Sequence, residues 1–295
     1  MGHGNWTRES FVTYSTARGR SVDAKGTLSS SLTDRQLFVQ QHLHPNLNPR
    51  NVLRECCDTP EHPRTLPVIL ALDVTGSMGV ASAEVAKKLN EVMTLLYHQV
   101  KDVEFLVMGI GDLAYDNAPI QISQFESDIR IAEQLDQVYM EHGGGGNGYE
   151  SYTAAWYMGL NHTRLDCWQR EQRGLLITMG DEPLNPYLPH KPLAQATGDA
   201  LERDVETDAL YREAIQKYDI YHLHVNHSSS DRYQEEVRRT FGRYLPEDHL
   251  RFVKVDSIAA AIVEIVNRHA KGEPQVNWRA DAPAKKTVPD RLIRW

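Results

Sequence analysis

The hydrophobic pattern around residues 66–100 predicts a strand, a turn and a helix in succession. Residues 68–72 form an unbroken apolar run, which is typical of a strand buried on both faces of a sheet. Apolar side chains then recur at helical spacing over residues 80–100. Those on the predicted inner face are Val85, Leu89, Val92, Met93 and Leu96. These elements together predict the first half of a crossover unit in a parallel sheet.

The same alternation continues along the rest of the chain. Apolar runs predict strands at residues 103–110, 175–179, 220–225 and 250–255, and the alternating segment 120–125 predicts a half-solvated edge strand. The helices are predicted at residues 128–137, from about 150 to 163, and at 207–217, 231–241 and 257–269. Segment 183–200 carries four prolines and is predicted to be a surface loop. The predicted fold class is α/β, with a doubly wound, mostly parallel Rossmann-like sheet flanked by helices.

Two flanking segments break this alternation. Residues 1–65 are rich in Ser, Thr, Arg and Asn, and they predict an extended N-terminal arm with one short helix at residues 34–42, laid over the main domain or a partner. Residues 271–295 predict a C-terminal arm in which Trp278 and Trp295 dock onto other surfaces. The sequence therefore predicts one domain over residues 66–270 with an arm at each end.

Composition and charge narrow the functional classes. The 41% hydrophobic and 24% charged residues are typical of a globular protein, and the net charge of −8 argues against nucleic acid as the main partner. No apolar run reaches the length of about 18 residues that a membrane span requires, and no signal-peptide core is present. The cysteines are Cys56, Cys57 and Cys167, which are too few for a disulfide framework. We therefore expect a cytoplasmic protein without a membrane partner.

Oxygen-bearing side chains follow the predicted strands. Asp73, Thr75 and Ser77 come directly after the first strand, and Asp181 and Glu182 follow the strand at 175–179. Ligands of open parallel sheets bind beyond the carboxyl ends of the strands, and carboxylate and hydroxyl oxygens suit hard divalent cations. A third loop, at residues 142–150, is rich in glycine. The pattern predicts a cation site at this edge of the sheet.

The turn Asp73-Val74-Thr75-Gly76-Ser77 resembles the first motif, Asp-x-Ser/Thr-x-Ser, of the metal-ion-dependent adhesion site (MIDAS) in von Willebrand factor A (vWA) domains. The order of elements over residues 66–270 resembles the same family. The resemblance implies that Thr75 and Ser77 bind the cation directly and that Asp73 binds it through water. It places Asp181 in the last metal loop of the family.

The middle loop departs from the family pattern. Most vWA domains offer a Thr after paired glycines, whereas this chain has Asn147 followed by Glu150, and Thr153 lies too far into the predicted helix to substitute easily. The run Gly145-Gly146-Asn147-Gly148-Tyr149-Glu150 is similar to the Gly-Gly-Asp-x-Pro-Glu loop in vWA regions of certain intracellular proteins, including those attached to atypical kinases. Asn147 and Glu150 are therefore included among the candidate ligands.

The number of carboxylates decides what such a metal would do. Mg²⁺, the expected ion, takes about six oxygens, and Mn²⁺ or Ca²⁺ could replace it. With Asp73 and Asp181 alone the charge is balanced, so the ion can accept a carboxylate from a partner. If Glu150 or Asp112 also reached the ion, the coordination would close and the metal would be structural. Asp112, Glu182 and His142 are candidates for residues that contact the metal ligands rather than the ion itself.

Other interpretations of the same residues are open. Asp73 and Ser77 could cap the following helix, and Asp181 could stabilise a turn before Pro183. The Asp73 turn also resembles the nucleophile turn of haloacid-dehalogenase-type phosphoryl-transfer enzymes, with 180–185 as their metal loop; Asp73 would then be a nucleophile. Against it, Asn185 precedes Pro186 instead of an Asp, and no strand-end lysine is evident.

Three histidines, His222, His224 and His227, are spaced so that they could bind a transition metal, but core histidines explain this pattern more simply. The favoured hypothesis is a non-enzymatic interaction module that binds an acidic residue of a protein partner through the metal, as a regulatory or assembly component. The vWA resemblance suggests an AAA+ ATPase or a larger complex as that partner. Nucleic acid and membrane partners are not expected.

Overall fold

The computed structural model describes residues 4–141, 148–226 and 233–272. Its strands in chain order are β1 (Arg54–Cys56), β2 (Leu66–Asp73), β3 (Val103–Ile110), β4 (Ile120–Ile122), β5 (Thr163–Leu165), β6 (Gly174–Gly180), β7 (Tyr187–Leu188), β8 (Val205–Glu206), β9 (Tyr218–Asn226) and β10 (Leu250–Lys254). Its α-helices are α1 (Arg8–Ala17), α2 (Asp34–Leu37), α3 (Gly79–Gln99), α4 (Arg130–Leu135), α5 (Thr153–Asn161), α6 (His190–Thr197), α7 (Thr207–Lys217), α8 (Gln234–Phe241) and α9 (Ile258–Ala270).

A six-stranded sheet with the order β10-β9-β6-β2-β3-β4 is the centre of the fold. Neighbouring strands are parallel except for β4, which runs antiparallel to β3 at one edge. Alternate side chains of β2 enter two different cores. Val68, Leu70 and Leu72 pack with α3 and α9, whereas Ile69 and Ala71 pack with α5 and α7. The predicted doubly wound α/β architecture is confirmed.

Several predicted elements match the observed ones closely. The strand at residues 103–110 and the helix at residues 207–217 have the predicted bounds. The buried strand at 68–72 is correct in kind and is longer at both ends, since it runs over Leu66–Asp73. The helix predicted to end near residue 163 instead ends at Asn161, because Thr163–Leu165 forms β5 and pairs with β1.

The edge strand is shorter and more buried than predicted. It covers Ile120–Ile122, and its central residue, Gln121, is fully buried. The Gln121 amide donates to the backbone oxygen of Tyr139 over 2.7 Å and accepts from the Tyr139 N–H over 2.9 Å. The side-chain amide of Gln121 is therefore hydrogen-bonded to backbone groups rather than to water. For this reason, its alternation with isoleucines did not mean that one face of the strand is exposed.

The surface loop predicted at residues 183–200 is wrong. This segment contains β7 and helix α6, and Leu188 and Leu193 are buried in the core beside α5 and α7. The helix ends at Gly198, whose φ of +86° is a left-handed conformation that favours glycine. The prolines in this segment lie before or at the start of the helix, where they are tolerated, and did not exclude it.

The N-terminal segment contains more regular structure than predicted. Helix α1 was missed, and Thr7 caps its start by accepting a hydrogen bond from the Ser10 N–H. Helix α1 packs on α3, where the Trp6 indole N–H donates to Asn90 Oδ1 over 3.1 Å. Tyr14 donates to the Asp136 carboxylate over 2.8 Å. This segment therefore lies against the sheet domain and shares its core.

The predicted domain boundaries at residues 65 and 270 stay predictions. Beyond residue 272, the C-terminal arm with Trp278 and Trp295 lies outside the described residues. No helix in the described ranges is long and apolar enough to cross a membrane.

Candidate functional site

The candidate site lies where three adjacent strands end. β6, β2 and β3 are neighbours and run parallel, so their carboxyl ends lie side by side at one edge of the sheet. Asp73 is the last residue of β2, and Asp181 directly follows β6. Gly111 and Asp112 follow β3. The strand order therefore brings the acidic turns predicted from the sequence to one edge.

Asp73 is fully buried and is held by its own turn and by Tyr152, the residue before helix α5. Its Oδ1 accepts hydrogen bonds from the Thr75 N–H over 2.9 Å and from the Thr75 hydroxyl over 2.6 Å. Its Oδ2 accepts one from the Tyr152 hydroxyl over 2.7 Å. Both carboxylate oxygens therefore have fixed directions, and the Thr75 hydroxyl lies against the carboxylate.

Ser77 connects the first acidic turn to the second. It belongs to a short 3₁₀ turn, Gly76–Met78, that leads into α3, and its hydroxyl donates to Asp181 Oδ1 over 3.1 Å. Ser77 is exposed, whereas Asp181 is buried. The pair therefore lies at the boundary between the buried carboxylates and solvent.

Glu150 is a third buried carboxylate in this region. Its backbone bridges to Leu184 beyond β6, and the next residue, Ser151, donates its N–H to the backbone oxygen of Gly111 beyond β3. Its side chain is 4% exposed, and Oε2 has no hydrogen-bond partner among the described residues. A buried carboxylate oxygen without a partner is unfavourable unless it is protonated or bound by a cation.

Electrostatics at the site are dominated by like charges. Burial and then the charge of Asp181 raise the pKa of Asp73 to about 7. Burial and then the charges of Asp73 and Glu182 raise the pKa of Glu150 well above its usual value. Neither Asp73 nor Glu150 forms an ion pair with Lys, Arg or His in the described part of the chain. A bound cation would relieve this repulsion.

Of the four remaining predicted residues, two are described by the structure and two are not. Asp112 is fully buried; its Oδ1 accepts from the Ala114 N–H over 2.7 Å, and its charge contributes to the raised pKa of Glu150. Glu182 donates its backbone N–H to the Tyr152 hydroxyl over 3.3 Å. His142 and Asn147 lie outside the described residues, so their predicted roles stay predictions.

The sequence analysis missed Tyr152, which joins the two acidic turns. Its hydroxyl donates to Asp73 and accepts from the Glu182 N–H. Gly180 allows this approach, because a Cβ at that position would lie 2.0 Å from the Tyr152 hydroxyl oxygen. A tyrosine at the start of an apolar helix is typical of the core, so no sequence signal distinguished it.

Tyr152→Phe is expected to lower the free energy of unfolding by about 1–3 kcal/mol, because it removes the hydrogen bond from the Tyr152 hydroxyl to Asp73 Oδ2 and the one that this hydroxyl accepts from the Glu182 N–H. It should also weaken Mg²⁺ binding. Urea unfolding with and without Mg²⁺ measures both effects. Tyr115→Phe, at an exposed tyrosine in the loop after β3, is the matched control. Equal stability of the two variants would contradict the bridging role.

Two alternatives from the sequence can be compared with the contacts. Asn185, part of the possible phosphatase loop, accepts from the Thr153 N–H over 3.1 Å and donates to the Thr153 hydroxyl over 2.5 Å. It thus holds the start of α5. His222 and His224 are fully buried, and His222 stacks on Phe241 with its ring centroid 3.8 Å away. Both histidines therefore lie in the core, and His227 lies outside the described residues.

The candidate ligands carry oxygen atoms of the type that binds hard cations. Asp73, Thr75, Ser77 and Asp181 offer carboxylate and hydroxyl oxygens that already contact one another in pairs. These are the ligand types that Mg²⁺ prefers. Within the described ranges, no group of three or more His, Cys, Asp and Glu side chains is arranged to hold a metal, so such a site depends on the hydroxyls. The ligand set stays a prediction.

No protein-family model matches the chain, and no curated protein matches it. Among solved structures, it is similar to the vWF domain of the type V pili tip protein Mfa5 from Porphyromonas gingivalis, with 12% identity over 72% of this chain and 98% of that chain and a TM-score of 0.44. It is also similar to the conserved hypothetical protein BatB from Bacteroides thetaiotaomicron, with 15% identity over 70% of this chain and 99% of that chain and a TM-score of 0.40.

A third similar structure is the pilus adhesin SpaC from Lactobacillus rhamnosus GG in its open conformation, with 12% identity and a TM-score of 0.46. That match covers 75% of this chain but spans only 31% of the length of SpaC. At such identities and TM-scores, these similarities transfer no site and no activity to this chain.

Proposed function

We propose that this chain is a divalent-cation-dependent protein-interaction module of the vWA type. The cation, most simply Mg²⁺, would be held by Asp73, Thr75, Ser77 and Asp181. The observation that carries the proposal is that two hydroxyls of the first turn each donate to a buried carboxylate at adjacent strand ends, Thr75 to Asp73 in the same turn and Ser77 to Asp181 in the second turn.

The charge of the site supports the cation. Asp73, Asp181 and Glu150 are all buried; burial and then the charge of Asp181 raise the pKa of Asp73, and burial and then the charge of Asp73 raise the pKa of Glu150. Burying carboxylates without a cation is costly, so a fold that gathers them gains stability when a divalent ion binds. When bound, the ion would supply an electrophilic contact for a carboxylate of the partner.

The surroundings of the site suit a protein partner. Ser77 is exposed, so the ion would be reached from solvent on that side. Two large apolar side chains are exposed on the same edge of the sheet: Val80 at the start of α3, at 68%, and Tyr115 in the loop after β3, at 49%. Protein interfaces bury aromatic and other apolar side chains and are rimmed by polar ones, so these two side chains would pack against a partner bound at the ion. An intracellular regulatory role beside an AAA+ ATPase or a larger complex rests on the sequence resemblance alone.

Asp73→Ala is expected to abolish metal-dependent partner capture, because it removes a proposed metal ligand, the carboxylate that accepts from Thr75 and is close enough to Asp181 for its pKa to be raised. The measurement is affinity capture from a lysate of the organism that encodes the chain, in Mg²⁺ and in EDTA, with the captured proteins identified by mass spectrometry. The expected result is a defined set of proteins that only the Mg²⁺-loaded wild-type chain retains.

Asp256→Asn, an exposed position before α9, is the matched control and should capture the same proteins as the wild type. Capture that is unchanged by EDTA and by Asp73→Ala would overturn the proposal. A phosphatase assay on the same samples tests the enzymatic alternative. Turnover of a phosphate ester that Asp73→Ala abolishes would favour phosphoryl transfer instead.

A further inference from the structure

Helix α3 begins next to the first candidate metal turn without a side-chain cap of its own. It runs over Gly79–Gln99 and starts two residues after Ser77. Its N-cap residue is Met78, whose side chain makes no capping hydrogen bond, and its first turn has no acidic residue. The first N–H groups of a helix carry a partial positive charge, which acidic groups stabilise. A carboxylate from another segment would therefore be favourable at this end.

Asp34 places a carboxylate at the amino end of α3. A Cβ at Gly79, the first residue of the helix, would lie 2.6 Å from Asp34 Oδ2 and 3.3 Å from Asp34 Cγ. A side chain at residue 79 would therefore overlap the carboxylate. The backbone of Gly79 is in the right-handed helical conformation, which any residue can adopt. It is thus the carboxylate, and not the backbone, that a side chain at this position would disturb.

The N-terminal segment holds Asp34 in this position through contacts in the core. Asp34 is the first residue of α2, which packs on α3. Leu37, at the other end of α2, is fully buried in the same hydrophobic cluster as Met78. The backbone oxygen of Leu37 accepts a hydrogen bond from Arg20 Nη2 over 3.1 Å, and Arg20 also pairs with Asp136 over 2.8 Å. The place of the carboxylate is therefore set by packing and by an ion pair.

The charge of Asp34 would affect a cation bound at Ser77. The proposed ion would lie near the amino end of α3, because its ligand Ser77 is only two residues from the start of the helix. The partial positive charge of the helix end repels a cation, and a carboxylate at that end offsets the repulsion. A negative group in this place therefore favours the ion without binding it.

We propose that Asp34 is a positioning residue of the candidate metal site, an inference that rests on the proposed function. Asp34 fixes the amino end of α3, and with it Ser77, and its charge offsets the positive end of the helix beside the ion. The N-terminal segment is then part of the metal-binding unit, although the proposed ligands all lie outside it. Its packing on α3 thereby has a functional role as well as a structural one.

Calorimetric titration of the full chain with Mg²⁺ tests this in three variants. Asp34→Asn keeps the shape of the side chain and removes its charge, so the dissociation constant for Mg²⁺ should rise about two- to fivefold. Gly79→Ala should raise it by a similar factor, because the new Cβ displaces the carboxylate. The double variant should bind about as weakly as either single variant, since both substitutions remove the same contact.

Glu9→Gln, at an exposed acidic residue on α1 of the same segment, is the matched control and should bind Mg²⁺ as the wild type does. Unfolding is measured in EDTA for every variant, and the titrations are made at a temperature where all of them are folded. Unchanged affinity in Asp34→Asn, or effects that add in the double variant, would overturn this inference and leave the proposed function intact. Failure of the wild-type chain to bind Mg²⁺ would overturn both.

Discussion

Saturating Mg²⁺ is expected to raise the free energy of unfolding of the wild-type chain by about 3 kcal/mol and that of Asp181→Asn by much less. A ligand that binds only the folded state at about one hundred times its dissociation constant stabilises it by roughly that amount. Asn retains the oxygen that accepts from Ser77 but removes the charge that faces Asp73. In EDTA the variant should therefore be as stable as the wild type or more stable. Urea unfolding in both buffers measures the four values.

If Asp181 binds the metal, Asp181→Asn should be less stable than the wild type in Mg²⁺ but not in EDTA. A variant that only disrupts the structure would be less stable in both buffers. Asp256→Asn should respond to Mg²⁺ as the wild type does. Equal stability of the wild-type chain in Mg²⁺ and in EDTA would contradict a metal site. Glu150→Gln resolves the coordination: if Glu150 binds the ion, this variant should lose the Mg²⁺ effect as Asp181→Asn does, and if the site is open to a partner it should retain most of it.

Glu104→Gln is expected to stabilise the protein by about 1–3 kcal/mol at pH 8 and to have little effect at pH 4. Glu104 lies on β3, is 1% exposed, and neither of its carboxylate oxygens has a hydrogen-bond partner among the described residues. Burial raises its pKa from 4.5 to about 7, and the nearby Cys56 thiol and His62 lower it only in part. At pH 8 the folded protein therefore carries a buried charge.

The sign of the pH dependence follows from this shift. Between about pH 4.5 and 7 the folded state binds more protons at Glu104 than the unfolded state, so the stability contributed by this residue falls as the pH rises. The difference between wild type and Glu104→Gln should grow through this window. Chemical unfolding at several pH values measures it, with Glu91→Gln, exposed on α3, as the control. A difference that is constant with pH would contradict the assignment.

The sequence predicted the fold well where a single sequence feature determines the local structure. The apolar run at 68–72 indicated burial on both faces, and β2 enters two cores. The polar turns after residues 72 and 179 were predicted to lie at one edge, because parallel neighbours place their carboxyl ends together. Asp73 and Asp181 were therefore predictable as residues of one edge, whereas the hydrogen bond from Ser77 to Asp181 was not predicted.

The failures have identifiable physical causes. Tyr152 acts through its hydroxyl at a position that Gly180 leaves open, and this contact joins residues that are far apart in the sequence. Gln121 and Leu193 are buried because of partners in distant segments, so neither alternation nor proline content could indicate their environment. Helix α1 depends on a Thr7 cap and on packing against α3 more than on its own helix propensity.

The N-terminal segment, residues 4–65, contributes buried side chains to the core of the domain. Trp6, Phe11, Leu28 and Leu37 belong to the same buried cluster as Leu89 of α3. In a fragment starting at residue 66, the apolar side chains of α3 that the N-terminal segment covers would be exposed to water. Exposed apolar patches of that kind promote self-association. Residues 4–65 therefore cover apolar surface of α3 that would otherwise face water.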